Sequence, residues 1–392
     1  MGRTKAKSKK ATSSKPNGTT APAATVEALL LQSAHSIARC EFDAAKQVCQ
    51  QACQLAVTNQ DVQGCRDGFE ILGTIELELN ELDDARTHFL ESIKHASTLP
   101  DPSPAPHLYL AQLSTPEESL THFANALTIL QAKLVAIEQS KQQAQNQNAE
   151  VVGDTQEEEE EEQELRRSAS RALVGMTELY LTDLCFDPDA EANCEKHLSL
   201  AAQLDPTDPE VYQTLASVRL SQQRPIEAKD AAIKGWSLWR DLGPEDPAFP
   251  PASARLTLAK ILIELELYES ALEILNVLEQ EDDEDQEMWY LSGWAWNLLG
   301  QQRSGPEQVS APEDDQETAP ECLSESKLCL ENYMRLEELD PDQSDPEQLA
   351  HVKELLSRLE AAGVVASAGR EEEGDEWLDD DEDDENEEAM DD

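Results

Sequence analysis

The sequence predicts an all-α fold, a superhelical solenoid of paired helices that follows a basic segment and precedes an acidic one. Between residues 26 and 363, apolar residues return at i, i+3, i+4 and i+7 without strand-like alternation. A pattern of small and large residues recurs at a separation of 34. Residues 1 to 15 hold six bases and no acid, whereas residues 370 to 392 hold sixteen acids. We therefore expect a helical repeat array between two charged tails.

The repeat is clearest in the segment FEILGTIELELNELDDARTHFLES. Its small and large residues fall at relative positions 4, 7, 8, 17, 20, 24 and 27: Phe69, Leu72, Gly73, Leu82, Ala85, Phe89 and Ser92. These positions resemble those of the 34-residue tetratricopeptide unit, in which small residues let two antiparallel helices approach and large residues fill the gaps. The class predicted is a tetratricopeptide-repeat superhelical solenoid.

The repeat spacing predicts about seven helix pairs. They cover residues 26 to 59, 66 to 99, 106 to 140, 168 to 206, 209 to 242, 252 to 284 and 286 to 341. A polar insertion at residues 301 to 320 splits the last pair, and a capping helix begins at Asp345-Pro346 and ends before Gly363. Repeats one to three thus occupy residues 25 to 142, and repeats four to seven with the cap occupy residues 165 to 365.

Three charged segments are predicted to be disordered because blocks of like charge repel one another and remain solvated. They are a basic tail at residues 1 to 24, an acidic spacer at 143 to 164 and an acidic tail at 366 to 392. Lys5, Lys7, Lys9 and Lys10 form a nuclear localisation signal, a weak contact with ribosomal RNA or a solubilising tail. Trp377 interrupts the acidic tail and offers an auxiliary cation–π anchor to a basic partner.

The net charge limits the classes of partner that the protein can bind. The formal charge is −52, of which −43 remains on residues 16 to 369 after the two tails are set aside. Such a surface repels nucleic acid and anionic membranes and favours a basic protein. The chain shows no secretory signal and no stretch of the ~20 apolar residues that a membrane span needs. Together with scattered cysteines, this predicts a protein of the cytoplasm and nucleus.

Catalytic chemistry is not predicted. The sequence contains no phosphate-binding loop, HExxH, GxSxG or kinase signature, and its seven histidines are isolated from one another. We expect no enzyme activity, no cofactor and no metal site.

A partner-binding groove is predicted on the first helix of each pair, at relative positions 2, 5, 9, 12 and 13. Carboxylates outnumber bases at these positions, and apolar and aromatic residues lie between them. This pattern fits an extended basic segment. The predicted groove residues are Asp67, Glu70, Glu78, Glu210, Glu264, Glu287, Tyr290, Trp294 and Asn297.

The order of segments resembles a known group, the fungal tetratricopeptide proteins that act as assembly chaperones of large-subunit ribosomal protein four. The likeness rests on the Lys-rich start GRTKAKSKK, the seven units, the acidic spacer and the tail DEWLDDDEDDE. The resemblance implies capture of the new ribosomal protein by its long internal loop, escort to the nucleus and release at the pre-ribosome. If the basic cluster is a localisation signal, a nuclear import receptor is a second partner, and we expect the chaperone itself to be a monomer.

Two other functions remain open from the sequence. Tetratricopeptide histone chaperones also combine acidic segments with this repeat, although there the acidic stretch interrupts a repeat. An adaptor that binds the acidic C-termini of heat-shock chaperones needs bases and amides along its groove, and here only Lys260 and Asn297 meet that requirement.

Overall fold

The computed structural model describes residues 25–146, 155–246, 248–305, 317–341 and 345–367. Within these ranges it contains fifteen helices and no strand. The chain divides into two compact units, Met1–Pro206 and Thr207–Asp392. The predicted all-α class is confirmed.

Unit 1 contains four helix pairs. Within each pair the two helices contact one another, and each pair also contacts the next through α2 and α3, α4 and α5, and α6 and α7. The helices are α1 (Val26–Ile37), α2 (Phe42–Asn59), α3 (Val62–Glu78), α4 (Leu82–Ala96), α5 (Ala105–Gln112), α6 (Pro116–Asn146), α7 (Thr155–Leu181) and α8 (Ala190–Leu204).

Unit 2 contains three helix pairs and a final single helix. Its apolar side chains form one large core that runs from Ala216 to Leu359. The helices are α9 (Pro209–Ser221), α10 (Pro225–Ser237), α11 (Ala252–Glu264), α12 (Tyr268–Glu281), α13 (Gln286–Arg303), α14 (Ala319–Leu339) and α15 (Pro346–Ala361).

Close packing of small against large residues holds the pairs together, as the repeat pattern predicts. A Cβ added to Gly73 on α3 would lie 2.7 Å from the ring of Phe89 on α4, and Phe89 is fully buried. The same arrangement recurs in unit 2, where a Cβ on Gly293 would lie 2.6 Å from Leu330. These glycines let the helix backbones approach more closely than a side chain would allow.

Short turns of one design join the two helices of several pairs. Asn80, Gln223 and Glu266 each have a φ near +60° (58°, 59° and 62°) in the middle of a three-residue turn. The amide of the following residue then donates a hydrogen bond to the carbonyl five residues before it, as in Glu81 N–H to the Glu76 carbonyl at 2.8 Å. This is the Schellman arrangement that satisfies the last carbonyls of a helix.

The acidic spacer departs from the expectation of disorder. Residues 143 to 146 belong to α6 and residues 155 to 164 to α7, while residues 147 to 154 lie outside the described part of the chain. Acidic side chains are favourable in the first turns of a helix because they face its positive end. Glu162 also pairs with Lys141 on α6 at 2.6 Å and with Arg166 at 2.5 Å. The prediction of a flexible spacer is therefore wrong for residues 155 to 164.

The polar insertion is shorter than residues 301 to 320. Helix α13 continues to Arg303, whose guanidinium pairs with Glu269 at 2.7 Å and with Glu317 at 3.3 Å. A capping box between Thr318 and Glu321 starts α14. Residues 306 to 316 lie outside the described residues, as do residues 1 to 24 and 368 to 392, which hold nearly all of both predicted tails.

Among the described residues, helix α6 contains one long apolar stretch. By length and composition the stretch Pro116–Gln143, in which an 18-residue window has a mean hydropathy of 1.3, could cross a membrane, contrary to the expectation from sequence. A single such helix is weak evidence for a span. The helix contacts α5 and α7, and 17% of that window is buried.

A buried ion-pair network links the first two helix pairs. Glu76 on α3 is 1% exposed, and its carboxylate lies 3.2 Å from Lys46 Nζ on α2 and 2.6 Å from His88 Nδ1 on α4. Lys46 also pairs with Glu81. Burial alone would lower the pKa of Lys46, but hydrogen bonds and charge from Glu81 and Glu76 outweigh it and raise that pKa. The carboxylates of Glu76, Glu81 and Asp84 approach within 4.8 Å of one another, and the Lys46 ammonium neutralises part of their charge.

Candidate functional site

Three predicted groove residues lie on α3 in unit 1. Asp67 is half-buried, and its Oδ1 accepts hydrogen bonds from Arg66 Nε at 2.7 Å and Arg66 Nη2 at 2.6 Å. Glu70 is half-buried as well, and its Oε1 accepts a hydrogen bond from Ser103 Oγ at 2.9 Å. Glu78 is exposed at the end of the helix. Of the three predicted carboxylates on this helix, one is therefore exposed and two are partly covered.

A cleft of about 410 Å³ opens beside Asp67 and Glu70. Arg66 Nη1 donates to the Asp101 carbonyl at 2.9 Å and so holds the loop after α4 against α3. Lys133 on α6 pairs with the Asp101 carboxylate. The remaining walls come from α3, this loop and α7: Ile71, Pro102, Ser103, Pro104 and Leu165. Sequence reasoning identified Asp67 and Glu70 but missed the loop and Lys133, because loop closure brings them in from outside the repeat pattern.

Burial is the largest influence on the pKa of Glu70 in this cleft. Burial raises the pKa of Glu70, the Ser103 hydrogen bond works against it, and Asp67 and Arg66 add smaller opposing effects. The covered carboxylate is thus less well solvated than an exposed glutamate. An incoming cation can replace the lost hydration, so the cleft is chemically suited to a basic group.

In unit 2 three predicted carboxylates lie on three different helices. Glu210 is exposed in the first turn of α9, and Glu264 is exposed at the last residue of α11. Glu287, in the first turn of α13, pairs with Lys260 Nζ of α11 at 2.7 Å. Part of its charge is therefore already neutralised within the unit.

The predicted aromatic residues form a cluster with a histidine from the capping helix. Tyr290 and Trp294 on α13 stack with ring centres 5.9 Å apart. His351 on α15 lies edge-on to Trp294 at 5.7 Å, and its Nδ1 is 2.9 Å from the Tyr290 hydroxyl. Sequence reasoning treated α15 as a cap and missed His351. The repeat register gave no signal for it, since aligning the N-caps Asp285 and Asp345 places His351 opposite the buried Leu291.

Asn297 is a correction to the predicted groove. Its side chain is 5% exposed, and its Oδ1 accepts a hydrogen bond from Gln301 Nε2 one turn later in α13. The fourth turn of α13 packs into the core of unit 2, which covers this position. Asn297 is therefore structural and does not reach the surface. Trp377, Lys5, Lys7, Lys9 and Lys10 lie outside the described residues.

Comparison with known proteins identifies relatives over most of the chain. A Schizosaccharomyces pombe protein described as a probable assembly chaperone of rpl4 is 32% identical over 330 residues, 82% of this chain and 87% of that protein. An Emericella nidulans protein with the same description is 31% identical over 74% of this chain and 68% of that protein. The solved structure of an assembly chaperone of RpL4 (Acl4), residues 1–338, matches with a TM-score of 0.64 and 31% identity. That match covers 72% of this chain and 99% of the solved one. No protein-family model matches the chain.

Proposed function

Because the chain belongs to the family of assembly chaperones of rpl4, we propose that it binds newly made ribosomal protein L4, shields it and delivers it for assembly of the large ribosomal subunit. The observation that carries this proposal is the similarity to such chaperones over more than two thirds of the chain, in sequence and in fold. The role is one of binding, without catalysis.

Charge gives the proposal its physical basis. Residues 16 to 369 carry a formal −43, so the repeats as well as the tail attract a basic client. Basic segments of a ribosomal protein stay unfolded until RNA neutralises them, and a polyanionic surface screens them from wrong partners in the meantime. Ribosomal RNA has a higher charge density and can then displace the chaperone.

The binding surfaces proposed are the groove positions predicted from the repeat register, taken in each unit by itself. Glu78, Glu210 and Glu264 are exposed, so an Arg or Lys of the client can reach them without rearrangement of the fold. In unit 2, Tyr290 and Trp294 offer stacking surfaces for guanidinium groups. Charge pairing of this kind raises the association rate and weakens as salt exceeds ~0.15 M, where the Debye length is about 8 Å.

Charge reversal on the groove tests the surface. The triple change Glu78→Lys, Glu210→Lys and Glu264→Lys removes three attractions and adds three repulsions, and we expect affinity for purified rpl4 to fall on the order of 100-fold. Helical content and melting temperature should stay close to those of the wild type because all three side chains are exposed.

A second triple reversal is the matched control. Glu158→Lys, Glu159→Lys and Glu161→Lys alter net charge equally, at exposed positions near the start of α7. Equal loss of affinity in both triples would mean that the client responds only to total charge, and the groove would be refuted. Affinity purification of the wild type tests the client itself, since an eluate dominated by histones or heat-shock proteins in place of rpl4 would contradict the proposed function.

We also propose that the chaperone works in both cytoplasm and nucleus and that its basic start is the import signal. Lys5, Lys7, Lys9 and Lys10 supply the clustered charge that import receptors bind. Replacing these four lysines by alanine in a fluorescent fusion should keep the protein out of the nucleus. An unchanged distribution would leave the basic segment as a solubilising tail.

A further inference from the structure

The cleft in unit 1 contains one carboxylate that differs from its neighbours. Asp67 pairs with Arg66, and Asp101 pairs with Lys133. Among the described residues Glu70 has no cation within ion-pair distance, and its one hydrogen-bond donor is the neutral Ser103 hydroxyl. The half-buried Glu70 carboxylate is therefore only partly compensated, which is an unfavourable state for the free protein.

The walls of the cleft restrict which cation fits. Pro102 and Pro104 in the loop, with Ile71 and Leu165 on the helices, supply apolar contact along the sides. A volume of about 410 Å³ exceeds that of one long side chain and admits part of the backbone that bears it. Arginine suits this environment because its stem packs on apolar surface and its planar guanidinium loses less hydration than an ammonium group does.

We propose that this cleft is an arginine-binding subsite, in which Glu70 receives the guanidinium of one arginine of the client while the proline-lined walls hold its stem. The subsite rests on the proposed function for the source of the arginine, but its chemistry can be tested without the client. Ser103 keeps one Glu70 oxygen oriented, and the other oxygen remains for the guanidinium. Ser103 acts as a positioning residue.

The charged groups that face Glu70 give the site a definite pH response. They are Arg66 and Asp67 on α3, Asp101 in the loop and Lys133 on α6. Since burial raises the pKa of Glu70, its charge is lost at a higher pH than that of an exposed glutamate as the solution is acidified. Arginine binding should weaken in that same range. Because folding raises this pKa, the ionised carboxylate lowers the stability of the free protein at neutral pH. Glu70→Gln should therefore raise the stability of the free protein.

A small probe tests the cleft directly. The full chain, labelled at isoleucine methyl groups, is titrated with L-arginine amide, and the Ile71 methyl signal reports occupancy of the cleft. We expect a saturating shift of this signal, at least threefold weaker binding of L-lysine amide, and at least tenfold weaker arginine binding in Glu70→Gln. Glu117→Gln, an equal charge change at an exposed position on α6, should alter the affinity less than twofold.

Binding of rpl4 is then compared in the same variants. Glu70→Gln should weaken rpl4 binding about tenfold while melting at a higher temperature than the wild type, a combination that a merely structural glutamate would not give. Its affinity should also respond less to acidification than that of the wild type. Failure of arginine amide to shift Ile71, or equal effects of Glu70→Gln and Glu117→Gln, would overturn the subsite. If arginine amide binds but rpl4 does not, the proposed function fails while the subsite stands.

Discussion

Lys46→Met tests how the first two helix pairs are joined. Lys46 is the cation shared by Glu76 and Glu81, and its side chain is 17% exposed, whereas that of Glu76 is 1% exposed. Methionine keeps the length and apolar packing of the lysine stem but leaves Glu76, within the described part of the chain, with His88 as its remaining ion-pair partner. The substitution therefore isolates the loss of the ammonium charge.

The structure sets the magnitude of this effect. Removing one partner of a buried ion pair costs about 3 to 5 kcal/mol, because the other charge is left without compensation. The His88 contact at 2.6 Å retains part of that compensation, so we expect a loss of about 2 to 4 kcal/mol. For a unit of this size the loss corresponds to a fall in melting temperature of roughly 5 to 15 °C.

The assay is urea and thermal unfolding of the full chain, with Lys94→Met as the control. Lys94 is 70% exposed and pairs with Glu91 on the same helix, so its loss removes the same charge but should cost less than ~0.5 kcal/mol. Adding Glu76→Gln to Lys46→Met should recover more than half of the lost stability, since the uncompensated carboxylate is gone. If the Lys46 and Lys94 variants unfold alike, the network does not join the pairs as argued.

Three other outcomes are expected. Gly293→Ala places a Cβ 2.6 Å from Leu330 and should lower stability in urea by about 1 to 3 kcal/mol, whereas Gly243→Ala, with no atom within 4 Å, should lower it little. Burial, with a neighbouring imidazole, lowers the pKa of His107 from 6.5 to about 4, so stability should fall as pH drops from 6.5 towards 4. His107→Gln should flatten that fall, and an unchanged profile would contradict the assignment. Deleting residues 368 to 392 should slow association with rpl4 more than it reduces selectivity, and complete loss of binding would make the tail, through Trp377, the main site.

The helix pairs could be predicted because packing of the repeat is local. Gly73 and Phe89 lie 16 residues apart, and their spacing alone predicts the contact that the structure shows. The helical state of residues 155 to 164 could not be predicted in this way. Repulsion within the acidic run is visible in the sequence, but the compensating Lys141 lies 21 residues before Glu162 and meets it only once α6 and α7 pair.

The candidate site, too, could be predicted only where its residues follow the repeat register. Register placed Asp67 and Glu70 together on one helix, but the cleft beside them depends on Asp101, Ser103 and Lys133, which follow no repeat. The prediction for Asn297 was wrong for a different reason. Its relative position predicted exposure, whereas this part of α13 packs into the core of unit 2 and buries the side chain.

The contact between the long helices α6 and α7 also affects how this chain tolerates changes in length. Helix α6 has 31 residues, about 46 Å, whereas its partner α5 has 8. Phe123, near the start of α6, lies against Gly175, near the end of α7. Lys141, near the end of α6, pairs with Glu162, near the start of α7, so the two helices run antiparallel. Residues added or removed between Asn146 and Thr155 fall beyond both contacts and leave the spacing of every repeat unchanged. This junction is where a reporter domain can be inserted, and where relatives can diverge in length, without disturbing the solenoid.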